Sequence, residues 1–430
     1  MNYSGVVCKV QRFALMDQYG IALVCALFCL LLSSCGGGTA AATASGGAVV
    51  TPGGVASAAN SVPIVVDNGP AGFKGSSINQ AYVSVTVCRP GTSICQTIDH
   101  ILLDTGSFGL RLISPGILNA ELRLPVVVTD SGLAVAECVQ FASGYQWGAV
   151  RQADVKMGGE VAAALPVHII ADPAADYLHV PGDCSSGGAN IGSVAALGAN
   201  GVLGVGLFKE DCGNACVSAA ISGAYYACDT INCASISLPL AQQVSNPVAS
   251  FVKNNNGVLL IMPEVPIGGV GSLTGSLIFG IDTQANNLLG SATIYHANNV
   301  GNITTTYNGK ELTSSFLDSG SNGYFFDDKN IRACTVSSSF YCPLGPLTLN
   351  AINRSDDRSS SGSVVIKLES VDALSANITA AYIGGAGSGI LEGFNSNGFD
   401  WGLPFFFGRR VFVAIQGANI IKGRAPYFAY

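Results

Sequence analysis

The sequence predicts a mostly β fold, and three observations carry that prediction. Only 11% of its 430 residues are charged, too few for long, solvated helices. Glycine occurs 54 times, and Ser, Thr and Val are abundant, which suits short strands and turns. The apolar runs are brief and stop at Gly, Asn or Ser. Taken in chain order, "NQAYVSVTVC" (79–88), the turn "RPGTSI" and "QTIDHILLDTGS" (96–107) read as strand, hairpin and strand. Further strand-like runs follow at 139–159 ("VQFASGYQWGAVRQADVKMGG") and 200–208 ("NGVLGVGLF"). The second half offers "GVLLIMP" (257–263), "GSLIFGIDTQ" (275–284), "SSFLDSGSNGYFF" (314–326) and "FDWGLPFFFGRRVFVAI" (399–415). A chain of this length suffices for two or three ordinary domains or one large β protein.

The net charge of −7 and the pI near 5.0 argue against nucleic acid as a partner and fit ordinary solubility. At the N-terminus, Lys9 and Arg12 precede an apolar run from Gly20 to Leu32. That run is short for a bilayer span and ends in small residues, as a secretory signal does. It leads into "LSSC" (32–35), which resembles a bacterial lipobox. The likeness implies a lipoprotein signal peptide at 1–34 and a lipid anchor on Cys35; Gly36 behind it resembles outer-membrane sorting. The alternative is a plain signal peptide with an incidental cysteine. From Gly36 to Val66 the chain has no Lys, Arg, Asp or Glu, so 35–61 reads as a flexible tether. We therefore expect a protein of the bacterial cell envelope.

Fourteen cysteines support an oxidising compartment. Cys8, Cys25 and Cys29 fall in the signal and Cys35 in the lipobox, which leaves ten for the folded part. Cys88 and Cys95 flank the turn "RPGTSI", and Cys334 and Cys342 could close a second short loop. Cys212, Cys216, Cys228 and Cys233 admit either a four-cysteine zinc site or disulfides, with Cys138 and Cys184 open as partners. The histidines, His100, His168, His179 and His296, show no metal-ligand spacing, and neither H-E-x-x-H nor G-x-S-x-G occurs. We expect no metal and no cofactor.

Two stretches carry the chemistry. "ILLDTGSFGLRL" (101–112) and "SSFLDSGSNGYFF" (314–326) each deliver an aspartate from an apolar run into Thr-Gly-Ser or Ser-Gly-Ser. An ionised carboxylate resists burial unless hydrogen bonds or a proton-sharing partner compensate it. One such motif is as readily an ordinary turn after a strand. Two, each followed by a later apolar-Gly run at "VLGVGL" or Trp401-Gly402, make a degenerate internal repeat and suggest a pair.

These motifs, with "GSLIFGID" and the terminal "IIKGRAP", resemble the pepsin-like aspartic endopeptidases over most of 62–430. The chain also resembles bacterial lipoproteins that carry the same paired motifs. The resemblance implies a bilobal fold with pseudo-twofold lobes at 62–245 and 246–430 and a central cleft. It implies Asp104 and Asp318 as a catalytic dyad that shares one proton and activates a water. Gly106 and Gly320 would lend amides to the carboxylates. Thr105 and Ser319 would bond across to the opposite loop, and Ser107 and Ser321 would orient the outer carboxylate oxygens.

Three departures qualify the likeness. A flap tyrosine is expected where Phe141 falls, with Tyr145 as a substitute nearby. Arg111 stands where the family usually has a tryptophan, which predicts altered specificity. The uncharged tether also cannot act as the basic prosegment of a zymogen. The expectation is a lipid-anchored aspartic endopeptidase acting on extended polypeptides. Its rival is a catalytically silent protein of the same fold that binds peptides or an envelope partner.

Overall fold

The computed structural model describes residues 59–75, 77–173, 177, 179–390, 396–420 and 422–430. The signal peptide, Cys35 and nearly all of the tether lie outside the described residues. The fold is mostly β: a 15-stranded sheet and a 7-stranded sheet, with only short helical turns between strands. Among the described residues no helix is long and apolar enough to cross a membrane.

The larger sheet draws on both halves of the chain. Its join is the strand Ser61–Val66, which pairs antiparallel with Leu273–Phe279 on one side and with Ala81–Cys88 on the other. Just before that strand, the buried Asn60 donates its side-chain amide to the Phe279 carbonyl at 2.9 Å. The expected tether therefore ends in contact with the second half.

Strand Cys95–Asp104 shows why an aspartate ends up inside. Its first residues alternate between exposed and buried, whereas Ile101, Leu102, Leu103 and Asp104 are all buried. Here the strand is interior to the sheet, paired with Ala81–Cys88, antiparallel, and Gly201–Val205, parallel, and the unbroken burial of 101–104 shows that both of its faces are covered. A continuous apolar run is the sequence form of such a strand. The same local arrangement recurs in the second half, where Lys310–Leu317 runs parallel to Asp400–Trp401. Both crossing strands need glycine for close approach. A Cβ on Gly204 would lie 2.4 Å from the Phe108 nitrogen, and one on Gly402 would lie 2.1 Å from the Gly323 carbonyl oxygen.

One large core cluster links Leu103, Leu110 and Leu203 with Leu317, Phe399 and Trp401, so the two acidic strands share a hydrophobic floor. Burial of such side chains stabilises by about 1.5–3 kcal/mol each. Behind the second acidic strand the rings of Phe326, Phe399 and Trp401 stack at centroid distances of 4.6 and 4.0 Å, a geometry that adds about 0.5–1.5 kcal/mol per pair.

The cysteines pair as Cys88–Cys95, Cys138–Cys184, Cys212–Cys216, Cys228–Cys233 and Cys334–Cys342. The two short-loop bridges expected from the sequence are present. The zinc reading of Cys212, Cys216, Cys228 and Cys233 fails, because their sulfurs are consumed in two disulfides.

Candidate active site

The two acidic loops meet. Thr105 N–H donates to Ser319 Oγ at 3.1 Å, and Ser319 N–H donates to Thr105 Oγ1 at 2.9 Å. The same two hydroxyls donate across to main-chain carbonyls, Thr105 Oγ1 to Leu317 at 3.1 Å and Ser319 Oγ to Leu103 at 2.8 Å. Each hydroxyl thus accepts one bond and donates another, and a reciprocal set locks the loops in register. Net worth is about 1 kcal/mol per bond. The assignment of Thr105 and Ser319 as cross-bonding residues matches this geometry.

Asp104 and Asp318 sit on either side of that lock, 1% and 5% exposed. Asp104 Oδ1 accepts from the Gly106 amide at 2.7 Å, and Asp318 Oδ1 accepts from the Gly320 amide at 2.8 Å. A Cβ on Gly106 would fall 2.6 Å from the Asp318 carboxyl carbon, so only glycine lets the first loop pass the second carboxyl. Burial pushes Asp104 well above the usual carboxylate range, and the charge and hydrogen bond of Asp318 push it further. Burial also raises Asp318, against the Asp104 hydrogen bond and the Gly320 amide, which lower it. The two carboxyls act on each other's ionisation and titrate as a pair.

The flanking serines differ. Ser321 Oγ lies 3.1 Å from Asp318 Oδ2, as the sequence suggests, and its amide donates to Asp318 Oδ1 at 3.2 Å. Ser107 Oγ faces Asp104 and lowers its pKa, but lies outside the geometry of a full hydrogen bond. A residue that sequence reasoning overlooked also enters: the buried Asp400, whose Oδ2 is 2.6 Å from Ser321 Oγ. Its signal was available, an acid inside the apolar run "FDWGLPFFF" at the position before Trp401-Gly402.

The hairpin Ala134–Phe141 and Gly144–Met157 is the structural counterpart of the expected flap. Its turn reaches the second half, where Ala142 packs in one buried cluster with Ile78, Phe325, Phe340 and Ile383. Phe141 and Tyr145 flank the turn, but their rings are used for packing. Phe141 belongs to a buried cluster with Tyr82, Leu102 and Ile113, and Tyr145 to one with Trp147, Tyr177 and the Cys138–Cys184 bridge. Phe141 is therefore packed inside the protein and not presented as a cover to an open cleft.

Beside the hairpin, Asn79 is fully buried and donates its side-chain amide to the carbonyls of Asn322 at 2.7 Å and Ala381 at 2.8 Å. The first of these bonds ties Asn79 to the residue that follows Ser321 in the second acidic loop.

Arg111, expected to tune specificity, is instead 1% exposed. Its Nη2 contacts Glu137 Oε1 at 2.6 Å and Asp211 Oδ2 at 2.9 Å, and Nη1 donates to the Phe108 carbonyl at 2.7 Å. His168 Nδ1 is 2.9 Å from Glu137 Oε2, and burial followed by the Arg111 charge holds His168 well below its usual pKa, hence neutral. The Arg111 guanidinium ties the strand after the first acidic loop to the hairpin strand from inside and is not presented at the protein surface.

The chain belongs to the family described as "Protein of unknown function (DUF3443)", whose model matches residues 56–430. No curated protein matches it. Among solved structures it is similar to the aspartic proteinase from Irpex lacteus, at 15% identity and a TM-score of 0.45, over 86% of this chain and 96% of that one.

Proposed function

We propose that this protein is an aspartic endopeptidase of the bacterial envelope, anchored through lipid on Cys35, that hydrolyses peptide bonds in extended polypeptides. The observation that carries the reading is the pairing of Asp104 and Asp318 from distant parts of the chain, on loops cross-bonded through Thr105 and Ser319. One proton shared by two buried carboxyls suits both halves of the chemistry. The ionised carboxyl takes a proton from an attacking water while the protonated one donates to the peptide carbonyl oxygen. We read the architecture as two pseudo-twofold lobes, 62–245 and 246–430, with the substrate lying between them as an added strand. Neither metal nor cofactor has a step in this scheme. Because both carboxyls are nearly inaccessible, catalysis requires the chain around them to open locally.

That burial is also the specific observation favouring the second reading, a silent member of the fold that binds peptide or an envelope partner. One experiment separates the two. Full-length protein in detergent is incubated with unfolded polypeptide from acid to neutral pH, beside Asp104→Asn and Asp318→Asn. The peptidase reading expects cleavage by wild type and a loss of at least about 10³-fold in each variant, given the scale of positioned acid–base catalysis. Equal cleavage by all three proteins, or none by wild type at any pH, removes it and leaves the binding reading. The pH profile should be bell-shaped, because both the doubly protonated and the doubly ionised pair are idle.

A further inference from the structure

Residues 59 and 60 carry the chain into the sheet, and three segments gather around their point of entry. The Gly158–Gly159 turn passes beside them, where a Cβ on Gly159 would fall 2.7 Å from the Ala59 carbonyl oxygen. Next to that turn, Glu160 accepts from the Asn254 side chain at 2.6 Å and from the Lys253 amide at 3.4 Å. Asn254 Oδ1 accepts from Thr283 Oγ1 at 2.5 Å, and Asn286 Nδ2 donates to Asn60 Oδ1 at 2.7 Å. The contacts run full circle, from 59–60 through 159–160, 253–254 and 283–286 back to Asn60.

Each of the three segments turns an apolar side chain outward on this ring. Val252 is 83% exposed, Leu288 53% and Val161 36%, beside the exposed Ala59 and Ala285. On 59–61, 158–161, 252–255 and 283–288 the only exposed charged residue is Lys253. Glu160 is buried, and the adjoining Asp282 turns one oxygen to the Leu289 amide at 2.8 Å and buries the other. Apolar side chains with one cation and no exposed carboxylate suit an anionic lipid surface.

We propose that this end of the molecule is a membrane-contact face, on which Val161, Val252 and Leu288 enter the headgroup region of a bilayer and Lys253 meets its anionic lipids. The proposal rests on the reading of Cys35 as the lipid attachment and deepens it. From Cys35 to Ala59 the chain spans at most about 85 Å when fully extended, so an anchored molecule meets the bilayer repeatedly. Such an intramolecular encounter has an effective concentration of about millimolar. A patch of only millimolar affinity is then occupied for much of the time, and three small side chains suffice where they would not hold a free protein. The entry point selects the face, because these side chains sit on the ring through which the lipid pulls. Contact there gives the anchored molecule one orientation instead of free tumbling on its tether.

The test uses the full lipidated chain on vesicles of phosphatidylethanolamine and phosphatidylglycerol that include a spin-labelled quencher lipid. A polarity-sensitive fluorophore is attached through Val252→Cys, Leu288→Cys or Ile231→Cys, in separate proteins. Ile231, 73% exposed in the turn between Tyr225–Cys228 and Cys233–Ser235 at one edge of the 15-stranded sheet, is the reference. Flotation with the vesicles, beside Cys35→Ala, reports the anchor. The expected result is flotation that Cys35→Ala loses, with severalfold stronger quenching at 252 and 288 than at 231. With the fluorophore on Ala285→Cys, Val252→Glu and Leu288→Glu together should lower quenching to the reference level while flotation persists. Equal quenching at all three positions in a floating protein overturns the contact face and leaves the anchor standing. A blue shift at 252 and 288 without quenching makes a second copy of the chain the occupant and overturns it as well. If wild type floats no better than Cys35→Ala, the anchor falls and the face that rests on it falls too.

Discussion

The loops that begin at Asp104 and Asp318 use nearly the same four residues, and their surroundings make them unlike. Three residues after Asp104, Ser107 makes only an imperfect contact with the carboxyl it follows. Three residues after Asp318, Ser321 gives its carboxyl an amide and a hydroxyl and passes the contact on to Asp400. Seven residues on, the first loop places Arg111 in an internal ionic cluster, while the second places Phe325 against the ring of Phe340. A shared motif fixes the backbone geometry of a carboxyl. The neighbouring strands decide its hydrogen-bond supply, and hence which of the two acids is easier to ionise.

The sharpest way to break the comparison is to remove its ionic side. Arg111→Met leaves the buried Glu137 and the part-buried Asp211 without their guanidinium, and the expected loss is about 3–5 kcal/mol. Urea unfolding should show it at neutral pH and show a smaller loss in acid, where the carboxyls take up protons. Asp211, already raised by burial and then by the Glu137 charge, should take up a proton as the pH falls. An unchanged midpoint would mean that the cluster does not hold the first loop.

The cross-loop lock offers a gentler test of likeness. Thr105→Ala and Ser319→Ala each delete one donor and one acceptor of the reciprocal set. Each should destabilise by about 1–2 kcal/mol, and the two losses should agree within experimental error. A large inequality would show that one loop carries the register alone.

The smallest expected effect concerns the stability of the pair. A carboxyl whose folded pKa is raised contributes stability below its unfolded pKa and loses it as pH rises through the folded value. Asp104 is such a group. Asp104→Asn should therefore match wild type in thermal unfolding at low pH and exceed it by a few degrees near neutrality. A variant that melts lower than wild type at neutral pH would contradict the proton-sharing pair.

Sequence reasoning reached the acidic loops, the cross-bonding Thr105 and Ser319, the glycine strands and two disulfides. Each of these depends on neighbours a few residues away or on a motif whose backbone demands recur. It misjudged Arg111 and Phe141, because a side chain's destination depends on what the opposite strand supplies. Arg111 is expected from the sequence to alter specificity, but Glu137, 26 positions on, meets it inside the protein. Asp400 went unnoticed for the same reason: its partner Ser321 lies 79 residues earlier.

By itself, the sequence determined that this chain would be built of short strands and would bury two aspartates, since alternation, apolar runs and glycine placement are local properties of the backbone. Only the tertiary structure decided that the loops carrying those aspartates are cross-bonded, and that a third acid contacts the second of them through a serine. Hydrogen-bond supply and burial are sums over distant neighbours, and no local stretch of chain contains them.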